Sequence, residues 1–462
     1  MKYIHINIQR LGHIFLTLGM VFSILGCEPF LDVELPPNQQ TGEGVFNEIR
    51  TIEAAIGDIY AHQREQGFLT GKGAGLGVAL SLYSDEMMGT ESEASDVSSF
   101  YTHTIRTDNN VVSGFWHTSY QDIYAANAAI ERLEKTSIED DRVGQLLGEA
   151  YFIRGLLHLY LSQVFGEIPY IRSTDYQRNG HVSRNSIEDV MGLVIQDLVT
   201  ASGYMEHDYQ DGTRTRPNAL AAQFALARVY LYDEQWELAR KTAKIVIDSE
   251  LYELNIPLGE VFKKESPNTV WQFLPAEDGY NTYEGQYFIV RSIPTSSPSL
   301  STGFYHGFED GDNRRETWVG SISDGMDTIH FPYKYREYTS TDTSLEYSKV
   351  FRIAEMYLVR AEAKWHLNDD LGAREDLNLI RERAGLSPMG PGEDLGGVIL
   401  RERRSELFTE FGHRWFDLKR WDMASTVLSS LKPGWGESSY LFPIPETELN
   451  ANPNLLPQNK GY

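Results

Sequence analysis

Residues 401–421 read RERRSELFTEFGHRWFDLKRW and combine charged and aromatic side chains in one short segment. Glu402, Glu406 and Glu410 recur at every fourth position, so a helix would place their carboxylates on one face. Four arginines supply opposite charge and four apolar residues are predicted to fill the core: Arg403, Arg404, Arg414 and Arg420, then Trp415, Phe416, Leu418 and Trp421. This predicts a ladder of ion pairs between helices. Acids flanked by arginines have lowered pKa values and make poor general acids, so the segment is interpreted as fold-defining rather than catalytic.

Helical periodicity extends well beyond this segment. Apolar residues recur at steps of three and four over residues 46–63, 116–130 and 150–165, which predicts amphipathic helices. Residues 217–248 and 351–383 each predict a pair of helices. Two alanines stand twelve positions apart in each pair, and this spacing matches the tetratricopeptide pattern, in which small residues let two helices pack closely. These alanines are Ala227 and Ala239 in the first pair and Ala361 and Ala373 in the second. The chain is therefore predicted to be mainly α-helical, with stacked helical hairpins forming a superhelical scaffold.

Two stretches interrupt the helical pattern. Residues 66–110 are rich in Gly and Ser and are too long for a structural connector. Residues 255–345 are rich in Tyr, Ser, Thr, Gly and Pro without a sustained helical period, which predicts an irregular, loop-rich second lobe. Long loops on a rigid scaffold are where binding residues tend to lie, so both stretches are candidate regions for a site.

The composition narrows the class of protein. The chain of 462 residues has 66 acidic and 41 basic side chains, a formal net charge of −25. Nucleic-acid binding is not expected, because phosphate recognition needs clustered Lys and Arg. Hydrophobic residues make up 41% of the chain and aromatic residues 12%, which is enough apolar surface for a folded core. The single cysteine, Cys27, excludes a disulfide framework and a multi-cysteine metal site.

The N-terminus has the pattern of an export signal. Lys2 and Arg10 form a basic region, and residues 14–25 are an apolar run too short to span a bilayer comfortably. Residues 24–27, ILGC, resemble a bacterial lipobox, in which the cysteine is lipidated before cleavage. The prediction is a signal peptide at residues 1–26, a tether lipidated on Cys27 at residues 27–45 and a folded domain at residues 46–462. An ordinary signal peptide followed by an incidental free thiol is the alternative.

Sequence motifs of catalysis and of metal binding do not emerge. The chain has no GxSxG elbow and no HExxH, and its histidines show no ligand spacing. The run at residues 71–77, GKGAGLG, fits neither GxxxxGK[ST] nor GxGxxG and is interpreted as a turn. Residues 309–314, EDGDNR, are acidic enough to attract calcium but lack the twelve-residue spacing of a calcium loop. No cofactor is therefore predicted, with a structural calcium ion as the alternative.

Several motifs resemble the SusD/RagB family of Bacteroidetes outer-membrane lipoproteins. The segment at 401–421 looks like the family signature ERR-x-EL-x-x-E-x-x-RW-x-DL-x-RW, and residues 442–462 are similar to its closing segment. Further matches are FGEIP at 165–169, DL at 197–198, RIAEMYLVRAEA at 352–363 and LNLIRERAGL at 377–386. They run in family order, so the resemblance covers the whole mature chain.

The resemblance implies a role in nutrient uptake. A SusD-like protein would be lipid-anchored in the outer membrane, face the extracellular side, capture nutrient glycan and deliver it, as a lid, to a SusC-type TonB-dependent transporter. The family resemblance implies no enzymatic activity. Peptide cargo is the first alternative. An extracellular glycosidase is the second, although no acid pair is identifiable.

Glycan binding needs aromatic faces beside polar groups, because a sugar ring stacks its C–H groups on Tyr or Trp while its hydroxyls need amide or charged partners. Family members that bind glycans place such a platform on the loops of the two irregular stretches. The candidates in the first stretch are Phe100, Tyr101, Arg106, Asn109 and Asn110, and those in the second are Tyr280, Asn281, Tyr283, Tyr287, Phe304 and Tyr305. Four tryptophans in periodic or motif segments are assigned to the core: Trp116, Trp236, Trp271 and Trp415.

Overall fold

Helices are the main secondary structure of the protein in a computed structural model, which describes residues 48–89, 95–390 and 392–462. Glu48–Tyr462 form one compact unit. The predicted signal peptide, Cys27 and the tether lie outside the described residues. Within the described part of the chain, no helix is long and apolar enough to cross a membrane.

Nine helices are described between Ile49 and Ile247. They are α1 (Ile49–Glu65), α2 (Leu76–Tyr83), α3 (Ser98–Thr102), α4 (Asn110–Leu133), α5 (Arg142–Phe165), α6 (Tyr176–Asn179), α7 (Ile187–Tyr204), α8 (Ala219–Tyr232) and α9 (Trp236–Ile247). Side-chain caps set several of their starts: Asn109, Ser186 and Asn218 each accept backbone N–H groups of the first turn of α4, α7 and α8.

Short helices and strands lie between these helices and a second helical set near the C-terminus. The short helices are α10 (Tyr283–Phe288), α11 (Thr302–Tyr305) and α12 (Asn313–Trp318). The second helical set consists of α13 (Ile353–His366), α14 (Asp370–Arg383), α15 (Leu395–Leu407), α16 (His413–Arg420), α17 (Ala424–Leu428) and α18 (Glu446–Ala451). The strands are β1 (Met87–Met88), β2 (Thr269–Phe273), β3 (Ser299–Leu300), β4 (Val319–Ser323), β5 (Thr328–Pro332) and β6 (Ser348–Arg352). They pair as three antiparallel ribbons, β1 with β3, β2 with β6 and β4 with β5.

The predicted helical hairpins are confirmed in α8–α9 and α13–α14. All four spaced alanines, at positions 227, 239, 361 and 373, are fully buried. The absence of larger side chains there lets the paired helices approach closely. Helix α9 also packs on α13, so the two hairpins stack on each other although about a hundred residues separate them in sequence. The mainly α-helical, superhelical fold class predicted from the sequence is thus confirmed.

Trp236 departs from its predicted place in the core. Trp116, Trp271 and Trp415 are buried as predicted. Trp236 is instead only half-buried and stacks on the ring of His366, with ring centres 3.8 Å apart. It begins α9, at the turn of one hairpin, so its ring covers the end of α13 rather than filling the space between helices.

The two irregular stretches differ from each other. Residues 255–345 contain only short helices and strands between loops, as predicted, and β6 ties them to the scaffold because it runs directly into α13. Residues 66–110 are less loop-like than predicted. Helix α2 within them is almost entirely buried, because its sequence LGVALSLY is apolar on every side.

Residues 401–421 form the end of α15, a tight turn and α16, but their ion pairs differ from the prediction. The three glutamates pair with cations from other elements. Glu406 contacts Arg383 at 2.6 Å and Arg352 at 2.9 Å. Further pairs join Glu402 to Arg314 (2.7 Å) and Arg381 (2.8 Å), and Glu410 to Lys334 (2.5 Å) and Arg352 (2.7 Å). We call these eight side chains the arginine network.

The arginines of the same segment pair elsewhere. Arg403 contacts Asp417 at 2.8 Å, and Arg404 and Arg414 both contact Asp85, at 3.1 and 2.7 Å. Arg420 pairs with Glu362 as well as Asp417. The predicted partners were wrong because i and i+4 neighbours point along one helix face, whereas the tertiary fold brings cations from β6, α12 and α14 against that face.

A lowered pKa, as predicted for the carboxylates of this segment, is found for Glu406 and Glu410. Burial alone would raise the pKa of both carboxyl groups. Arg383, Arg352 and Arg314 outweigh burial and lower the pKa of Glu406. Arg352 and Lys334 do the same for Glu410. Trp415, Phe416 and Leu418 of this segment are buried, whereas Trp421 is half-buried and stacks on Trp365.

Candidate functional site

An open pocket of about 270 Å³ lies where the end of α1 meets the loop before α10 and the start of β6. Three tyrosines line it, together with polar side chains from all three elements. We call it the tyrosine pocket: Tyr280, Tyr283, Tyr347, Arg64, Glu277 and Gln286. Tyr280 leaves 47% of its surface exposed. The pocket therefore offers ring surface and hydrogen-bonding groups side by side.

Asn281 holds the loop that carries these tyrosines. Its side-chain amide donates to Thr339 O at 3.1 Å and to Thr341 Oγ1 at 2.9 Å. Its Oδ1 accepts the backbone N–H groups of Leu345 and Glu346. Because the side chain is buried and all these bonds are internal, Asn281 shapes the pocket rather than offering a free amide to a ligand.

Tyr283 is fixed by a charged group from α1. Its hydroxyl donates to Glu65 Oε2 at 2.6 Å, and the same carboxylate accepts from Lys72 Nζ at 2.8 Å and from Arg64 Nε at 2.7 Å. Burial would raise the pKa of Glu65, but the bonds from Lys72, Tyr283 and Arg64 outweigh it and lower the pKa to about 2. Burial, then the bond to Glu65, raises the pKa of Tyr283 to about 12. Glu65 thus stays ionised and Tyr283 stays neutral.

The glycine-rich run at 71–77 brings Lys72 into this arrangement. Lys72 Nζ lies 4.3 Å from the centre of the Tyr283 ring, close enough for a cation–π contact. Gly71 packs directly against Glu284, where an added Cβ atom would come within 2.3 Å of the carboxyl group. The run is therefore a close-packed turn beside the pocket, which agrees with its interpretation as a turn.

Glu284 is the buried acid of the pocket. Burial raises its pKa to about 7, although a hydrogen bond from the Ser348 hydroxyl opposes the shift. Its second oxygen, Oε2, has no hydrogen-bond partner among the described residues. A carboxyl group near its pKa can donate or accept a hydrogen bond, so Glu284 is an adaptable polar group in the lining of the pocket.

Several predicted site residues do not present a free binding surface. Phe100 and Phe304 are buried: Phe100 packs against Phe442, and Phe304 against Phe308 and Phe408. Asn109 is buried as well, because its Oδ1 caps α4. These three were predicted as glycan contacts, and the structure uses them for packing and capping instead. A loop of apolar and polar residues looks alike in sequence whether its rings face inward or outward.

The remaining predicted residues lie outside the tyrosine pocket. Lys432 Nζ lies 4.3 Å from the ring centre of Tyr101, and Tyr305 stacks on His330 at 3.5 Å. Exposed polar candidates pair locally: Arg106 contacts Asp108 at 3.0 Å, and Asn110 donates to Asp96 at 2.7 Å. Tyr287 is half-buried against Phe288. Of the eleven predicted residues, the structure brings together Tyr280, Asn281 and Tyr283.

Sequence reasoning missed Arg64, Glu65, Lys72 and Tyr347. Tyr347 lies two residues after the tyrosine-rich stretch at 255–345, so its residue type could have identified it as a candidate. Lys72 lies in the glycine-rich run at 71–77, which was interpreted only as a turn. Arg64 and Glu65 carried no signal, since they end an ordinary amphipathic helix and reach the pocket only through the fold.

Two of the three acids in the run considered for calcium pair with arginines. Asp312 contacts Arg314 at 2.8 Å, and Glu309 contacts Arg381 at 2.9 Å. Across residues 48–89, 95–390 and 392–462, no group of three or more His, Cys, Asp or Glu side chains is placed to hold a metal ion.

Comparisons with known proteins agree with this architecture. A family profile described as starch-binding and associating with the outer membrane matches residues 30–231, and the SusD family profile matches residues 304–438. SusD-like protein P2 of Formosa agariphila is 27% identical, covering 96% of this chain and 98% of its own. Starch-binding protein SusD of Bacteroides thetaiotaomicron is 32% identical over 35% of this chain and 28% of its own.

Solved structures share the fold. A SusD superfamily protein from Bacteroides vulgatus superposes with a TM-score of 0.79 at 20% identity, covering 90% of this chain and all of its own. The two family profiles together match more than two thirds of the chain, and the fold matches along its length. The chain therefore belongs to the SusD family.

Proposed function

We propose that the protein captures an uncharged glycan in the tyrosine pocket. The observation that carries the proposal is that three tyrosines line one open pocket together with Arg64, Glu277 and Gln286. Rings of this kind stack on the C–H faces of sugars, while the polar groups pair with hydroxyls.

The charges of the pocket favour an uncharged ligand. Arg64 is the one cation among the residues that line the tyrosine pocket, and its guanidinium is already engaged by Glu65 and by the carbonyl of Leu274. Three carboxyl groups line the same space, those of Glu277, Glu284 and Glu346. An acidic polysaccharide would meet these carboxyl groups with no free counter-charge.

Family membership supports the same proposal. The matching profile is described as starch-binding and outer-membrane associated, and one relative is named a starch-binding protein. We also propose the finer parts of the role. The protein is lipidated at Cys27 and lies on the extracellular side of the outer membrane. It delivers glycan to a SusC-type transporter and acts as the lid of that transporter. The lipobox-like ILGC sequence supports the anchor, and the family resemblance supports the transporter partner.

The test screens the protein without its first 27 residues for binding to maltohexaose, laminarihexaose, cellohexaose, a polyuronate and short neutral peptides. Titration calorimetry then measures the affinity for each ligand that binds. We expect saturable binding to at least one neutral oligosaccharide and none to the polyuronate. Tyr280→Ala should weaken binding about five- to fiftyfold because a half-exposed ring is lost. Tyr204→Ala is the matched control, since Tyr204 is also 47% exposed but lies outside the pocket.

Binding to peptides alone would overturn the glycan proposal in favour of peptide cargo. The anchor has its own test: Cys27→Ala should release the protein from membranes, and continued tight membrane association would contradict lipidation.

A further inference from the structure

A second aromatic groove, of about 320 Å³, runs along α4 on the far side from α1. The segment at 169–182, which includes α6, forms one wall, and α18 with the residues after it forms the other. We call it the α4 groove, defined by Trp116, Tyr120, Tyr124, Tyr176, Glu448 and Leu455. None of these residues lines the tyrosine pocket.

The groove presents rings at two depths. Tyr124 and Tyr176 leave 51% and 76% of their surfaces exposed. Trp116 is buried and forms part of the base, with its ring centre 5.0 Å from that of Tyr120. Exposed rings that line a concave surface together are candidate ligand contacts.

The walls of the groove are held by hydrogen bonds. Tyr120 donates its hydroxyl proton to Pro169 O at 2.8 Å, and Asn127 Nδ2 donates to Ile171 O at 3.0 Å. From the opposite wall, Asn452 Nδ2 donates to Val182 O at 2.8 Å and Asn454 Nδ2 to His181 O at 2.9 Å. The segment at 169–182 is thus tied to both α4 and the C-terminal residues, so the groove is preformed.

The lining chemistry suits a neutral, hydroxyl-rich ligand. Besides the tyrosine hydroxyls, its polar side chains are those of His117, Asn179, Glu448 and Asn452. Asn452 is committed to the wall, and Asn179 Nδ2 donates to Ser173 O at 2.7 Å. The residues that line the groove include no Lys or Arg, so an anionic ligand would find no counter-charge. Ring faces combined with an imidazole, an amide and a carboxylate match the faces and hydroxyls of a sugar.

The groove is independent of the tyrosine pocket. Trp116, Tyr120 and Tyr124 are spaced by four and share one face of α4. Asp122, on the other face, accepts hydrogen bonds from Gln63 at 2.7 Å and faces His62 at 2.8 Å on α1. Helix α1 therefore covers the opposite side of α4, and a ligand in the groove does not displace one in the pocket.

We infer that the α4 groove is a second binding site for a neutral oligosaccharide, so that one chain holds glycan at two separate places. The inference rests on the proposed function and extends it. Two sites on one rigid body raise the avidity for a long polysaccharide when both engage the same chain.

The experiment is calorimetry with maltohexaose, laminarihexaose and cellohexaose on five forms of the protein without its first 27 residues. These are the wild type, the double variant Tyr124→Ala/Tyr176→Ala, its conservative counterpart Tyr124→Phe/Tyr176→Phe, the double variant Tyr280→Ala/Tyr283→Ala, and the control Tyr204→Ala. We expect two equivalents bound by wild type and control, and one by each double alanine variant. The conservative pair Tyr124→Phe/Tyr176→Phe should keep the second equivalent within about twofold, because it keeps the rings. Equal melting temperatures of all forms exclude unfolding as the cause.

The outcomes separate the two claims. A single equivalent that the Tyr280/Tyr283 variant abolishes and the Tyr124/Tyr176 variant leaves unchanged would overturn the second site and leave the proposed function standing. A single equivalent lost only with Tyr124 and Tyr176 would support the groove and overturn the tyrosine pocket as the capture site. Absence of any binding in the wild type would overturn both.

Discussion

The arginine network and the tyrosine pocket use similar residues in different surroundings. In the network, Glu406 is fully buried and three arginines, Arg314, Arg352 and Arg383, converge on it. In the pocket, Glu65 also meets two cations, but its side chain is 31% exposed and that of Lys72 is 42% exposed. Solvent access is the main difference between the two.

This difference separates stability from binding. A buried carboxylate surrounded by cations cannot lose its charge or its partners without a large cost in folding free energy. A half-exposed ion pair contributes little to stability but orients what lies beside it, here the Tyr283 ring. The segment most recognisable in sequence thus holds the fold together, while the proposed site uses charges that the sequence does not mark.

The largest expected effect is in the arginine network. Glu406→Gln should lower the free energy of unfolding by about 3–5 kcal/mol, because it leaves Arg314, Arg352 and Arg383 without their shared counter-charge. The measurement is the urea midpoint of unfolding. Glu437→Gln, which removes an exposed carboxylate paired with Lys460, is the control and should not shift the midpoint. An unchanged midpoint for Glu406→Gln would show that burial of the network contributes no net stability.

The next effect concerns pH and the buried acid of the pocket. Because the pKa of Glu284 is raised to about 7 from an ordinary 4.5, the folded state holds this proton more tightly than the unfolded state. Stability from this group is present below pH 4.5 and is lost as the pH rises through 7. Glu284→Gln should therefore be more stable than wild type at pH 8, by up to about 3 kcal/mol, and similar to it at pH 4.5.

Unfolding curves between pH 4.5 and 8 test this, with exposed Glu277→Gln as the control within the same pocket. Parallel pH profiles for wild type and Glu284→Gln would contradict the raised pKa. The network has the opposite sign: the lowered pKa of Glu406 and Glu410 means that their contribution is complete above pH 4.5 and is lost as the pH falls further.

A smaller effect is expected on binding rather than stability. Tyr283→Ala should weaken oligosaccharide binding by about 1–2 kcal/mol, because the ring is lost. Tyr283→Phe keeps the ring and loses the bond to Glu65, so it should cost about 0.5–1 kcal/mol. Titration calorimetry gives both values. Tyr101 lies outside the pocket, so Tyr101→Ala should bind the oligosaccharide as wild type does. If Tyr101→Ala weakened binding and Tyr283→Ala did not, the glycan-binding residues would lie on the first irregular stretch instead.

The smallest effect should come from Lys72→Met. The variant removes a hydrogen bond to Glu65 and the cation beside the Tyr283 ring, but Lys72 is well exposed, so stability should change by less than about 1 kcal/mol. Salt screens such pairs, and the difference from wild type should shrink in 1 M NaCl. If Lys72→Met lost as much stability as Glu406→Gln, independently of salt, the tyrosine pocket and the arginine network would not differ in the way described.

The helices and their hairpins were predictable because they depend on local spacing. Alanines twelve residues apart indicated α8–α9 and α13–α14, and all four are buried at the helix contacts. Tyr280 and Tyr283 were identified by residue type in a tyrosine-rich loop, and both line the pocket. Phe100 and Phe304 were selected by the same criterion and are buried, because residue type does not tell which way a loop ring faces.

By itself, the sequence determined the helical class, the family signature and the region in which aromatic residues cluster. Those properties follow from periodicity and motif order, which the chain carries locally. Only the tertiary structure decided which cations surround Glu406, which tyrosines line a pocket and that Arg64, Glu65 and Lys72 meet Tyr283. More than two hundred residues separate Glu65 from Tyr283, and a contact over that distance depends on how the whole chain folds.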